Sequence, residues 1–348
     1  MTVAFAAIVQ NVSDAIELDE VSSDVLATSA TITDSVPFLI ASLDYDTRVN
    51  MSWQYEDVFE FCTFDQRLCK ENYDVKRREE ASLGNCFTFN HENQTVHYNL
   101  IRAGSLYGLD LWLNIHQEDY VDWTDMAGYK VYIHDQGEQI FGESVGYFAP
   151  GGYHSSLGLK YLQLQRMAAP YGDCVKNKNE VKYYYYYGNV YNKEACTQDG
   201  LPPEIKNCPI GKRSCVQNFL STNGNPKNWK DCICPDQCTS HSYDIVTTKA
   251  KYLSQFECTL NNATNHNASN LVECHRAAKN NRVRITVYFE RLGFVTLEER
   301  PEIDFMSMLG NVAGQMGILA GVSLLSLMEF VITGVKVLIC AVSGNVLK

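Results

Sequence analysis

The chain has 348 residues, a formal net charge of -12 and a pI of about 5.1, enough for one large or two medium domains. An acidic balance excludes the basic face that nucleic acid requires, and it suits a surface that gathers cations. The sequence has no phosphate-binding loop, no G-x-S-x-G and no H-E-x-x-H, and its eight histidines are dispersed. The expectation is therefore no enzyme, with no catalytic residue, no metal and no cofactor.

Residues 1–50 are rich in Ser, Thr, Asp and Val and carry no cysteine. The apolar run Val3–Val9 follows no positive residue and is too short for a signal peptide or a membrane span. Sequons at Asn11, Asn50, Asn93, Asn262 and Asn267 are candidate glycosylation sites. Of the 13 cysteines, all but Cys340 lie from Cys62 to Cys274, which predicts a disulfide framework built in an oxidising compartment. Zinc on Cys232, Cys234 and Cys238 is the alternative, but no second pair follows at ribbon spacing. These features place residues up to about 300 outside the cytosol.

Residues 80–170 read as β-rich, with short runs at Asn99–Ile101, Leu109–Ile115 and Tyr129–Ile133 between Gly, Asn and Asp. Glu118 and Asp119, beside Tyr120, read as a solvated turn. Val181–Tyr187 carries five consecutive tyrosines, which in a strand would point to both faces and predict a buried or interface strand. Residues 190–240 read as a cysteine-rich loop region, and Gln255–Arg276 as including helical turns. Val283–Glu290 is the clearest strand. A short stretch containing Pro301 joins it to the apolar segment that begins at Phe305, a link able to carry movement.

From Phe305 to Met328 there are 24 residues without Asp, Glu, Lys or Arg, and the apolar character continues to Ala341 past Glu329 and Lys336. This predicts a transmembrane segment. As one helix, Phe305–Ala341 would be roughly 55 Å long, against a hydrocarbon core of about 30 Å, so it must tilt, protrude or break. Gly310, Gly314, Gly317 and Gly321 fall in a stripe roughly 60° wide, either a packing seam or a pore-facing one, with Asn311 and Gln315 beside it. Ser326, Glu329, Thr333, Lys336 and Cys340 occupy a second arc of roughly 80°. Such a face predicts contact with water or a partner subunit; the alternative is a Glu329–Lys336 pair near the inner interface.

The junction Val287-Tyr288-Phe289-Glu290, with Glu298, Pro301 and the run from Leu309 to Glu329, resembles the degenerin/epithelial sodium channel/acid-sensing channel family. Gly321-Val322-Ser323 matches the family's G-x-S element, flanked by Gly314-Gln315-Met316-Gly317 and by Glu329. Gly84-Asn85-Cys86-Phe87-Thr88-Phe89-Asn90, Ala127–Val131 with His134-Asp135, Pro170–Cys174, and Cys232, Cys234 and Cys238 with Tyr243 are similar to further family elements. The resemblance covers roughly residues 53–342.

It implies an α+β fold: a disulfide-rich, β-containing extracellular domain with peripheral helices, then one C-terminal transmembrane helix broken at a G-x-S filter. The expected division is an atypical segment 1–52, an extracellular domain 53–304, a pore-lining segment 305–342 and a cytoplasmic stub 343–348. The implied function is a subunit of a homo- or heterotrimeric, sodium-selective, amiloride-sensitive channel in the plasma membrane, its partners being related subunits, sodium ions and lipid, without nucleic acid. Gly321, Val322 and Ser323 would form the filter, Gly310 and Asn311 the gate region where larger side chains at Gly310 hold such channels open, and Ser326 and Glu329 the inner pore. The implied disulfides are Cys62–Cys69, Cys174–Cys238, Cys196–Cys234, Cys232 with Cys208 or Cys215, and Cys258–Cys274. The family's first transmembrane helix and its His-Gly motif find no match, so the expectation is a chain lacking that helix, with Cys86 deprived of its usual mate. The alternative function is a non-conducting single-pass regulatory subunit or a cell-surface receptor.

Overall fold

The computed structural model describes residue 40 and residues 43–346, except 71–73, 81–83, 93–97, 121–123, 125, 139, 141–144, 182–190, 199–217, 219–220, 223, 225–233, 256–257, 260–267 and 322. The tyrosine run at 183–187, Asn11, Asn93, Asn262, Asn267, Cys208, Cys215, Cys232 and Val322 lie outside the described residues. Two compact units, Met1–Glu298 and Glu299–Lys348, divide the chain.

In chain order the first unit contains α1 (Tyr45–Met51), α2 (Tyr55–Val58), β1 (Phe59–Phe64), β2 (Arg67–Leu68), β3 (Val75–Glu80), β4 (Gly84–Phe89), β5 (Leu109–Asn114), β6 (Gly128–Val131), β7 (Tyr147–Pro150), β8 (Tyr153–Gln165), α3 (Lys193–Gln198), β9 (Thr239–Lys251), α4 (Ala268–Asn281) and β10 (Arg282–Glu298). Six strands form one sheet in the order β2-β1-β5-β10-β8-β9, while β3–β4 and β6–β7 are separate hairpins. Among these neighbours β10 and β8 run parallel and the others antiparallel. The mixed sheet with peripheral helices is the α+β arrangement expected.

Local chemistry sets the first turns. Asp44 caps α1 through a hydrogen bond from the Thr47 amide at 3.0 Å. Asp65 and Gln66 both adopt positive φ, 47° and 64°, as a two-residue β1–β2 hairpin of the right twist demands. Alternation then divides the sheet into two faces. Val283, Ile285, Leu113 and Leu157 point inward and join Val58, Ile115 and Ala149 in the core, with Phe87, Tyr129 and Tyr147 of the two hairpins packed against them.

The opposite face is polar and built around Asp110 of β5. Arg284 of β10 donates to both its carboxylate oxygens, at 3.0 and 2.9 Å, and stacks over Trp112 at 5.1 Å from the ring centroid. Thr286 donates its hydroxyl to Asp110 at 2.8 Å. That hydroxyl is therefore left to accept from His154 Nε2 on β8, also at 2.8 Å.

Three strand readings need correction. Asn99–Ile101 is no strand: Tyr98 stacks on Phe89 and donates to the Asp74 carboxylate, holding this stretch by side chains rather than by a ladder. The run at Tyr129–Ile133 pairs only as Gly128–Val131. The strand read at Val283–Glu290 continues to Glu298 because β8 pairs with it again from Phe294 to Glu298, beyond a register shift. Helical turns appear as α4, and Gln117–Asp119 is a short 3-10 turn whose Glu118 accepts from the Asn281 amide at 2.7 Å.

Among the described residues four disulfides join Cys62–Cys69, Cys174–Cys238, Cys196–Cys234 and Cys258–Cys274. Cys86 lies half-buried in β4, opposite Arg78. By loop entropy the Cys174–Cys238 bridge, spanning 64 residues, contributes about 4 kcal/mol, and the Cys62–Cys69 bridge about 2.

Burial depresses the pKa of His134 and of His154, with Arg284 adding to the effect at His154. The unfolded chain binds protons at both near the usual value of about 6.5, whereas the folded chain resists them. Their contribution to stability is complete above that pH and is lost as pH falls below it. Thermal unfolding of the full chain in detergent should show a midpoint that drops from pH 8 to pH 5, with a shallower slope in His154→Gln. An unchanged slope contradicts the assignment.

Candidate functional site

The second unit consists of two helices, α5 (Phe305–Ala320) and α6 (Leu324–Val346), separated at the G-x-S tripeptide. Asp304 starts α5 by accepting from the Ser307 amide at 2.9 Å, and hydrogen bonding to that exposed carboxylate lowers its pKa. Gly321 ends it in the left-handed region, φ 61° and ψ 18°, which glycine adopts without the Cβ penalty of other residues. Ser323 starts the next helix. Its hydroxyl accepts from the Ser326 amide at 3.2 Å, its carbonyl accepts from the Leu327 amide at 3.1 Å, and its Oγ lies 3.1 Å from Ser326 Oγ. Glycine as terminator and serine as N-cap thus give the tripeptide a local reason to interrupt the helix. The overlong segment breaks rather than merely tilting.

The break divides the segment unequally. Among the described residues one helix stretch, Leu325–Ser343, is long and apolar enough to cross a membrane. Large apolar side chains of these helices are exposed: Ile318 is 86% exposed, Leu319 87% and Phe330 80%. A Cβ built on Gly310 or Gly314 meets no described atom within 4 Å. Asn311, Gln315, Glu329 and Lys336 are exposed, and Ser326 is half-buried. The structure brings together Ser323 and Ser326 of the expected site. Gly310 and Asn311 sit on α5, and Glu329 on α6, each without a described partner inside the chain.

Two further features lie in the first unit, where the strand that precedes α5 is fastened. β10 advances from Phe289 to Phe294 while β8 advances only from Leu159 to Tyr161, so residues 290–293 form a bulge. Glu290 opens the bulge, with its Oε2 3.6 Å from Lys160 Nζ, which also lies 3.8 Å from Asp244. Gly158 leaves the room Glu290 needs: a Cβ there would stand 2.9 Å from Glu290 Oε1. Sequence reading missed this trio and the Asp110–Arg284–Thr286–His154 network, because their members are far apart in the chain. Isolated charges within apolar runs of sequence, Arg284 and Lys160 among them, are the signal that could have flagged them.

A sequence model of the family described as amiloride-sensitive sodium channel matches residues 10–333. The chain is 30% identical to degenerin mec-4 of Caenorhabditis briggsae over 318 residues, covering 84% of this chain and 40% of that protein. It is also 30% identical to degenerin unc-8 of Caenorhabditis elegans, with 84% and 40% covered. With the degenerin-like protein asic-1 of Caenorhabditis elegans it shares 27% identity over 92% of this chain and 41% of that protein. The chain therefore spans about 40% of the length of these curated relatives.

The cap geometry predicts that Ser323→Ala destabilises the start of α6 by about 1 kcal/mol, whereas Ser323→Asn does not. Hydrogen exchange at the Ser326 amide should accelerate in the Ala variant only. Equal exchange in both variants contradicts the capping role.

Proposed function

Because the chain belongs to the amiloride-sensitive sodium channel family, whose members are membrane-integral ion channels rather than enzymes, we propose that it is a subunit of a trimeric, sodium-selective, amiloride-sensitive cation channel. Its disulfide-bearing unit faces the outside and gates the pore, and its C-terminus is cytoplasmic. Homologous subunits complete the assembly, as homo- or heterotrimer. Asn50, exposed on α1, is then a glycan acceptor.

The observation that carries this reading is the break at Gly321 and Ser323 between two helices whose apolar side chains are exposed. A helix interruption at membrane depth is tolerated where it lines a water-filled path, and carbonyls freed there can replace an ion's hydration shell. Gly321, Val322 and Ser323 take the filter role, Gly310 and Asn311 the gate, and Ser326 and Glu329 the inner pore. A second reading, a non-conducting regulatory partner, draws on the single stretch of spanning length among the described residues.

Voltage-clamp recording of the expressed chain, alone and with a related full-length subunit, separates the two. The channel reading predicts an inward sodium current blocked by amiloride, and no such current in either case overturns it. Gly310 offers a sharper test. A Cβ added there meets no described atom within 4 Å, and on the channel reading its effect arises where subunits meet. Gly310→Val should raise open probability several-fold in single-channel recordings, and unchanged gating in a conducting channel removes the gate assignment.

A further inference from the structure

We propose that Lys336 lies in the ion path inward of Glu329 and limits conductance, forming with its counterparts on neighbouring subunits a ring of positive charge. This rests on the pore-lining reading of α6 and adds a residue to it.

Three observations converge. First, Lys336 lies inside Leu325–Ser343, the stretch apolar enough to span a membrane. It is seven residues from the inner end of that stretch, about 10 Å at helical rise. A lysine stem cannot carry its ammonium that whole distance to the interface, so snorkelling alone does not account for it. Second, Lys336 shares an arc of about 80° with Ser326, Glu329, Thr333 and Cys340, and no apolar side chain of α6 falls inside that arc. Two charged groups within an otherwise apolar span mark a face turned to water or a partner. Third, both charges are exposed, and no described residue makes an ion pair with either. Seven residues set them about 10 Å apart along the axis, two rings rather than one compensated pair.

In a ring of subunits with these faces turned inward, a cation passing the filter is drawn by the Glu329 carboxylates and then repelled by the Lys336 ammoniums. Narrow walls of low dielectric strengthen both effects. Lys336 therefore sets a barrier that Glu329 alone would not.

Single-channel recording in sodium tests this. Lys336→Gln should raise unitary conductance about two- to five-fold, Lys336→Glu should raise it further, and Lys336→Arg should leave it unchanged. Unaltered unitary conductance in Lys336→Gln, in a channel that still conducts, overturns the assignment and leaves the channel reading intact. A change in open probability alone overturns it equally, since that outcome belongs to a gating lock between Glu329 and Lys336. No current from the wild-type chain, alone or with a related subunit, overturns the channel reading and this assignment with it. Water access is read separately from conduction: in a Cys340→Ser parent, Lys336→Cys should react with a lipid-impermeant maleimide in membranes above the parent's background. Labelling no greater than the parent overturns the water-facing position.

Discussion

The bidentate contact of Arg284 with Asp110 fixes the middle of the sheet, and much else depends on the middle strand. It ties β10 to β5, positions Trp112 under the guanidinium, and through Thr286 reaches His154 on β8. The carboxylate is 17% exposed and the guanidinium 35%, so screening reduces the pair's net worth to about 1 kcal/mol. Its larger effect is register. With Arg284 held opposite Trp112 and His154, Val283 and Ile285 must point to the other face, where they are 1% and 0% exposed. A one-residue slip would bury Arg284 and expose Ile285.

β10 links the middle of the sheet to the segment before α5. It pairs with β5 along Arg282–Val287 and with β8 on either side of its bulge, and it leads through residues 299–304 into α5. Its bulge at 290–293 separates a half held on both sides from a half held by β8. Glu290, Lys160 and Gly158 meet at that boundary. Each of these contacts is modest, but together they mark the boundary between the part of β10 paired with two strands and the part paired with β8 alone.

The two C-terminal helices obey a different physics. In the first unit apolar side chains bury one another, whereas in α5 and α6 they are exposed on nearly every side. What shapes these helices is capping rather than packing: Asp304 opens α5, Gly321 closes it and Ser323 opens α6. Those same groups leave the last carbonyls of α5 without helical partners, which is the feature the proposed filter role draws on.

The sequence by itself determines whatever acts within a few residues. The length of Phe305–Ala341 demands an accommodation, and Gly321 and Ser323 carry the stop and start signals for a break because a cap reaches only two or three positions along the chain. The arc containing Glu329 and Lys336 is equally legible, since one helical period fixes it. Tertiary structure alone decides what joins distant positions: Asp110 to Arg284, Thr286 to His154, Glu290 to Gly158, and the extension of Val283–Glu290 to Glu298 against β8. Asn99–Ile101 has a strand's composition without a strand's partner, because Tyr98 is committed to Asp74 and Phe89. A strand exists only where a neighbour offers its edge, and which strands become neighbours is settled by the burial of Leu113, Leu157, Val283 and Ile285 together, a condition that no local stretch of sequence contains.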